Sequence, residues 1–387
     1  MTMTTPQFLS EPLAAPKLDF PNSKETVEVR VINTNIEAEF IGPPSAFFNP
    51  STPGFTNLSW PIYAFLISHG NRHILFDAGV RRDWQNLAPA VVKALSSTMS
   101  FHRIDYDVAS ILDSDASGLN IRSVDIEALI WSHTHFDHIG DPARFPSSTD
   151  LIVGPGVKAL IQSGYPTKRE AMTLDADVAG REVREVDFSQ GLKVAGFSAY
   201  DCFGDGSFYL LDAPGHSQGH MCGLARTTNQ TASGDSTFVF LGADACHHPG
   251  MLRPTEFLPL PHSITPSPFA SQRAVGAGCP GHALQALLAH NQPNRPVFDL
   301  VQGPLFPDIV AAHETLHRMQ KLDSVGNTFI LLAHDASLLD EIPMFPGAVN
   351  TWLSEGWRDK TRWLFFGECE DAVLKQSANS SEVGRKM

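Results

Sequence analysis

Positive charge, paired cysteines and long apolar runs are all scarce in this 387-residue chain. Lys and Arg number 28 against 42 Asp and Glu, a formal net charge of −14. Such a balance argues against nucleic acid or an anionic membrane as the main partner and favours a small neutral or weakly polar substrate. The five cysteines (Cys202, Cys222, Cys246, Cys279 and Cys369) are odd in number, widely spread and free of any C-x-x-C pair. They read as reduced, buried thiols of a cytoplasmic protein, not as a disulfide framework. Residues 1–20 lack a basic start followed by an apolar core, and no apolar run reaches membrane-spanning length. Neither a secretory signal nor a membrane span is expected. Nothing in the sequence sets the oligomeric state.

What is present is the composition of a globular enzyme, with 42% apolar and 18% charged residues. Residues 1–24, rich in Pro, Thr and Ser, read as an extended arm, residues 25–375 as one domain, and residues 376–387 as a disordered tail. Within the domain, a Pro- and Gly-rich stretch at 249–296 reads as an insertion, and insertions of that size are commonly lids or binding loops. Met251, Leu252, Phe257 and Leu258 are its pocket candidates.

Alternating apolar residues predict strands at 27–32, 63–67, 73–76, 192–200, 208–211, 221–226 and 237–241. Short apolar runs add buried strands at 126–131, 150–153 and 328–332. Helical spacing predicts helices over 83–97, 106–112, 282–290 and 308–321. Phe47 and Phe48 are assigned to the core, and Trp352, Trp357 and Trp363 are expected to pack onto the domain. His313 and His317, four apart on the last helix, are read as an exposed face and not as a metal pair, because no third ligand lies near them in sequence.

The chemistry concentrates in Trp131-Ser132-His133-Thr134-His135-Phe136-Asp137-His138-Ile139-Gly140-Asp141. Three imidazoles and the Asp137 carboxylate follow closely on a strand, and these are ligand types that suit zinc and neighbouring divalent ions. His133 and His135 can address one ion while Asp137 and His138 face another. Further candidates close other strands at Asp77, His216, Asp244 and His334. His220 shares the loop of His216 and is read as a structural hydrogen-bonding residue.

The pattern His133-x-His135-x-Asp137-His138, with Phe76-Asp77, Gly215-His216, Ala243-Asp244 and His334-Asp335 following in order, resembles the signature of the metallo-β-lactamase-fold hydrolases. The pair His334-Asp335 and the intact second-metal set look most like the lactonase branch. The resemblance implies an α/β fold: an αββα sandwich of two mixed sheets flanked by helices, bearing the site along one edge. It places His133, His135 and His216 on a first metal, Asp137, His138 and His334 on a second, and Asp244 on both. Asp77 would orient a metal-bound histidine from outside the ligand set.

By the same resemblance the cofactors are two divalent ions, with zinc expected. The reaction would be hydrolysis, in which a hydroxide bridging the ions opens a small lactone or a related cyclic ester or amide. Asp137 and His247 are the catalytic candidates. Similar lactonases commonly carry a Tyr three residues after the bridging Asp, where this chain has His247 followed by His248; an imidazole there can donate a hydrogen bond or a proton. Cys246 is read as an ordinary buried thiol and not as a nucleophile. The alternatives are a thioesterase of the glyoxalase II or acyl-carrier kind, a non-haem iron dioxygenase, and a catalytically dead binding module.

Overall fold

A computed structural model describes residues 7–34, 36–41, 44–50, 61–114, 118–229, 235–273, 275–288 and 290–370. The alternating apolar stretches form two six-stranded mixed sheets. In the first, β1 (Glu28–Asn33), β2 (Tyr63–His69), β3 (Arg72–Phe76), β4 (Ile126–Ile130), β5 (Asp150–Val153) and β6 (Val183–Glu185) lie side by side in chain order. β1, β2 and β3 are antiparallel neighbours, and β3 to β6 are parallel. The second sheet runs β7 (Lys193–Val194), β8 (Phe197–Asp201), β9 (Phe208–Asp212), β10 (Met221–Thr228), β11 (Thr237–Leu241) and β12 (Thr328–Leu331). Its pairs are antiparallel except β11 with β12.

Side chains of a strand alternate between faces, so each sheet buries two layers. Phe65, Ile67, Phe76 and Ile130 meet Phe208, Leu210, Val239 and Phe329 between the sheets. Leu66, Leu75 and Leu129 point the other way, onto Val91 and Leu95 of α1 (Pro89–Thr98). Leu224 and Phe240 pack likewise onto Leu316 and Met319 of α2 (Ile309–Ser324). Helices thus cover both outer faces, as the αββα expectation requires, and Trp352, Trp357 and Trp363 pack against these cores.

Several local expectations change. The helix expected from 83 starts at Pro89 after a separate tight turn at Trp84–Asn86, because proline lacks an N–H and is suited to the first helical position. The single strand expected over 192–200 is a hairpin, β7 and β8, reversed at Ala195 (φ +50°) and Gly196 (φ +87°). A two-stranded ribbon joins Glu37–Phe40 to Met99–Arg103, neither of which the sequence pattern marks. The arm is pinned from residue 7 onward, with Leu9 N donating to Leu260 O and Ala195 N to Asp19 O. The tail at 376–387 and residues 1–6 lie outside the described residues.

The insertion supplies core rather than pocket at two of its four candidates. Met251 and Leu252 are 0% and 1% exposed in the layer that covers the outer face of the second sheet. The aromatic side chains of that face need a cover, which this segment supplies. Phe257 stands beside the exposed His317, its ring centroid 6.4 Å away, and Leu258 is half-buried.

Candidate metal centre

β9, β11 and β12 run in the same direction, and so do β3 and β4. Asp77, His133 to His138, His216, Asp244 and His334 therefore emerge from the C-terminal ends of these strands. Two backbone hydrogen bonds, Asp77 N to Ile130 O and Ala78 N to His138 O, tie the end of β3 to the metal loop. Gly215 has φ +129°, and a Cβ there would lie 2.3 Å from the backbone N of Ala312. Only glycine lets the His216 loop sit this close to α2.

The structure brings all seven sequence candidates together in two groups able to hold an ion: His133, His135, His216 and Asp244, and Asp137, His138 and His334. In the first, His216 Nε2 lies 3.1 Å from His133 Nε2 and 3.0 Å from His135 Nδ1. Asp244 Oδ2 is 3.7 Å from His133 Nε2 and 3.6 Å from His216 Nε2. In the second, His334 Nε2 and His138 Nε2 stand 3.6 and 3.9 Å from Asp137 Oδ2. The other Asp244 oxygen, Oδ1, is 3.1 Å from His334 Nε2 and 3.2 Å from His138 Nε2. One carboxylate thus faces both groups, one oxygen to each.

Hydrogen bonds on the far side of each ring decide which nitrogen turns toward the ligand groups. His138 Nδ1 donates to Asp77 Oδ2 at 2.8 Å, and His334 Nδ1 donates to the Pro61 carbonyl at 3.0 Å. The Ser132 hydroxyl donates to Asp77 Oδ2 at 3.0 Å, so it accepts from His133 Nδ1, also at 3.0 Å. With their protons on Nδ1, these three rings turn Nε2 inward, His133 toward His216 Nε2 and Asp244 Oδ2, and His138 and His334 toward Asp244 Oδ1 and Asp137 Oδ2. His138 Nε2 and Asp244 Oδ1 are buried without a hydrogen bond of acceptable geometry. Donors around a tetrahedral zinc, at bonds of about 2.0–2.1 Å, stand about 3.3–3.4 Å apart. The separations here bracket that value, and the donor set fits divalent cations.

Charge points the same way. Burial pushes His133, His135 and His216 below their ordinary range, and the neighbouring imidazoles add to the effect at His133. Burial opposes charge at His138 and His334 as well, but Asp244 and Asp137, with Asp77 at His138, raise both above it. Burial also works against the Asp244 carboxylate, yet His138, His334 and His247 hold it well below the usual range. Carboxylates buried among these imidazoles call for positive charge, which protons on His138 and His334 supply in the absence of cations and which divalent cations would supply in their place.

The two adjacent histidines separate. His247 is at the centre: its Nε2 lies 3.2 Å from Asp244 Oδ2, and its ring centroid is 4.9 Å from that of His216 and 5.3 Å from that of Phe306. His248 turns away, accepting from Gly250 N at 2.9 Å and facing Glu368 Oε2 at 3.2 Å. His220 is fully buried, with Nδ1 donating to Ala213 O and Nε2 accepting from Asp244 N, the hydrogen-bonding role read for it. Burial pushes it down to about 3. The Cys246 thiol is pushed up to about 12 by burial and donates to His248 O, the state of an inert thiol. His313 and His317 are exposed on α2. Sequence reading missed Ser132, Phe306 and the Pro61 carbonyl; adjacency to the metal loop was the one signal that could have found Ser132.

A family model described as Metallo-beta-lactamase superfamily matches residues 59–244. The chain is 50% identical over 360 residues to the metallo-hydrolase mfmC of Annulohypoxylon moriforme, covering 93% of this chain and 91% of that protein. It is 41% identical over 377 residues to the gamma-lactamase FDB1 of Fusarium pseudograminearum, covering 95% and 88%. It is also 43% identical over 368 residues to the cytochrome P450 monooxygenase mpaDE of Penicillium roqueforti, where 94% of this chain spans only 40% of that protein. Among solved structures, an N-acyl homoserine lactone hydrolase with bound product shares the fold, at a TM-score of 0.52 and 17% identity over 85% of this chain and 100% of that one.

Proposed function

The chain belongs to the metallo-beta-lactamase superfamily of hydrolases, and from that premise we propose that it opens the ring of a small cyclic amide or lactone. The observation that carries this reading is Asp244, which turns one oxygen to each of two buried ligand groups. His133, His135 and His216 would hold one ion, Asp137, His138 and His334 another, and Asp244 both, with zinc the expected metal. Ions bound there would supply Lewis acidity toward a carbonyl oxygen and a water nucleophile at neutral pH.

The chain's own side chains do the rest. Asp77 and the Pro61 carbonyl fix the rings of His138 and His334. Asp137, the least buried carboxylate of the set, borders the second group. We assign to His247 a proton or hydrogen bond for the leaving atom as the ring opens. An amide nitrogen needs that proton more than an alcohol oxygen does. The gamma-lactamase relative, 41% identical across nearly the whole chain, favours a five-membered cyclic amide or the matching lactone.

A panel of γ-lactams, γ-lactones, linear esters and thioesters tests the proposal. Turnover is expected on the cyclic amides and lactones, with linear esters and thioesters slower. Exclusive turnover of thioesters would replace this reading with a thioesterase.

A further inference from the structure

We propose that Asp77 and Ser132 form a single hydrogen-bond relay that orients one histidine in each ligand group. Metal at the first group then depends on the Ser132 hydroxyl, and metal at both groups depends on the Asp77 carboxylate. The proposal rests on reading the two groups as metal sites.

Asp77 accepts three hydrogen bonds. Its Oδ1 takes Ser132 N at 2.8 Å, and its Oδ2 takes both His138 Nδ1 at 2.8 Å and Ser132 Oγ at 3.0 Å. A serine hydroxyl has one proton; once that proton is given to Asp77, its lone pairs are left to accept from His133 Nδ1 at 3.0 Å. His133 Nε2 is then bare toward His216 Nε2 and Asp244 Oδ2. The same carboxylate oxygen thereby sets His138 directly and His133 through one hydroxyl.

Burial makes the relay hard to replace. Asp77, Ser132, His133 and His138 are all at most 1% exposed, so solvent has little access to stand in for a lost hydroxyl. Without it, the His133 Nδ1–H would be buried with no acceptor, and the tautomer protonated on Nε2, which cannot ligate, would gain ground. Asp77 itself is held at φ +61°, in the left-handed region, by its N–H to Ile130 O and by the Ala78 N–H to His138 O. That backbone holds the carboxylate under both groups. Ser132 and Asp77 are positioning residues, with no place in either ligand group.

The test titrates Zn2+ into metal-stripped full-length chain against a competing chelator, with Co2+ absorption spectra in parallel. Wild type is expected to take up two equivalents. Ser132→Ala should weaken one equivalent by ~10–100-fold, the usual effect of losing such a partner, and leave the other in place. Ser132→Thr, which restores the hydroxyl, should recover it, and Asp77→Asn should weaken both. Thermal unfolding of each stripped variant separates loss of fold from loss of metal. Ser132→Ala that binds both equivalents as wild type does, or loses both alike, overturns the relay. Should Ser132→Ala not fold, Asp77→Asn carries the same test: weakening of both equivalents supports the relay and retention of either overturns it. Wild type that binds no Zn2+ overturns the metal reading itself, before any substitution is compared.

Discussion

One position separates His247 from His248, yet only His247 faces the ligand groups. His247→Ala is expected to keep both metals and to lose ~10²–10⁴-fold in turnover of a cyclic amide, the range for removing a positioned acid. The loss should shrink on an activated ester, whose leaving group needs no proton; equal losses on every leaving group, or loss of metal, would count against the assignment. The seven candidate positions that folding gathers into two groups were legible because they follow strand ends, four of them share one short loop, and their pattern resembles a known signature. Ser132 was not, since a serine beside a metal loop looks like any other serine until its hydroxyl is seen between Asp77 and His133. The Pro61 carbonyl that orients His334 is backbone and leaves no mark in residue type.

At the scale of elements, α2 is anchored by a buried charge cluster. Asp323 at its end accepts from Arg253 Nε at 2.8 Å and Nη2 at 2.6 Å and from Arg362 Nη1 at 2.9 Å, joining the insertion, the helix and the C-terminal segment. Burial opposes the Asp323 charge, but the two guanidiniums hold its carboxyl well below the usual range. Their responses differ: burial is outweighed by Asp323 at Arg253, which is raised, whereas Arg362 is lowered to about 10. The bidentate Arg253 pair is the stronger contact. Because the folded pKa lies below the unfolded value of about 3.9, this contribution is present above about pH 4 and is lost as acid protonates Asp323. Asp323→Ala should cost ~3–5 kcal/mol by leaving buried guanidiniums unpaired, and should flatten the fall in stability below about pH 4; denaturant titrations at pH 7 and pH 3 measure both. An unchanged acid limb would show that the cluster is not what acid attacks. None of this was legible in sequence, where Arg253, Asp323 and Arg362 are far apart and are brought together only by folding.

Across the whole molecule, the layered architecture was legible because strand alternation is local: residues such as Phe65 and Leu66 declare opposite faces from their spacing alone. The ribbon between 37–40 and 99–103, the course of the arm and the core role of Met251 and Leu252 depend on contacts distant in sequence, and spacing carries no record of them. No helix among the described residues is long and apolar enough to cross a membrane. The central claim is that both ligand groups hold metal and that hydrolysis depends on it. Elemental analysis of the purified full-length chain, paired with γ-lactam or γ-lactone hydrolysis before and after chelation, addresses it most directly. The account predicts close to two equivalents of a divalent metal per chain, with turnover lost on stripping and restored by Zn2+. Full turnover by a chain containing no transition metal would contradict it.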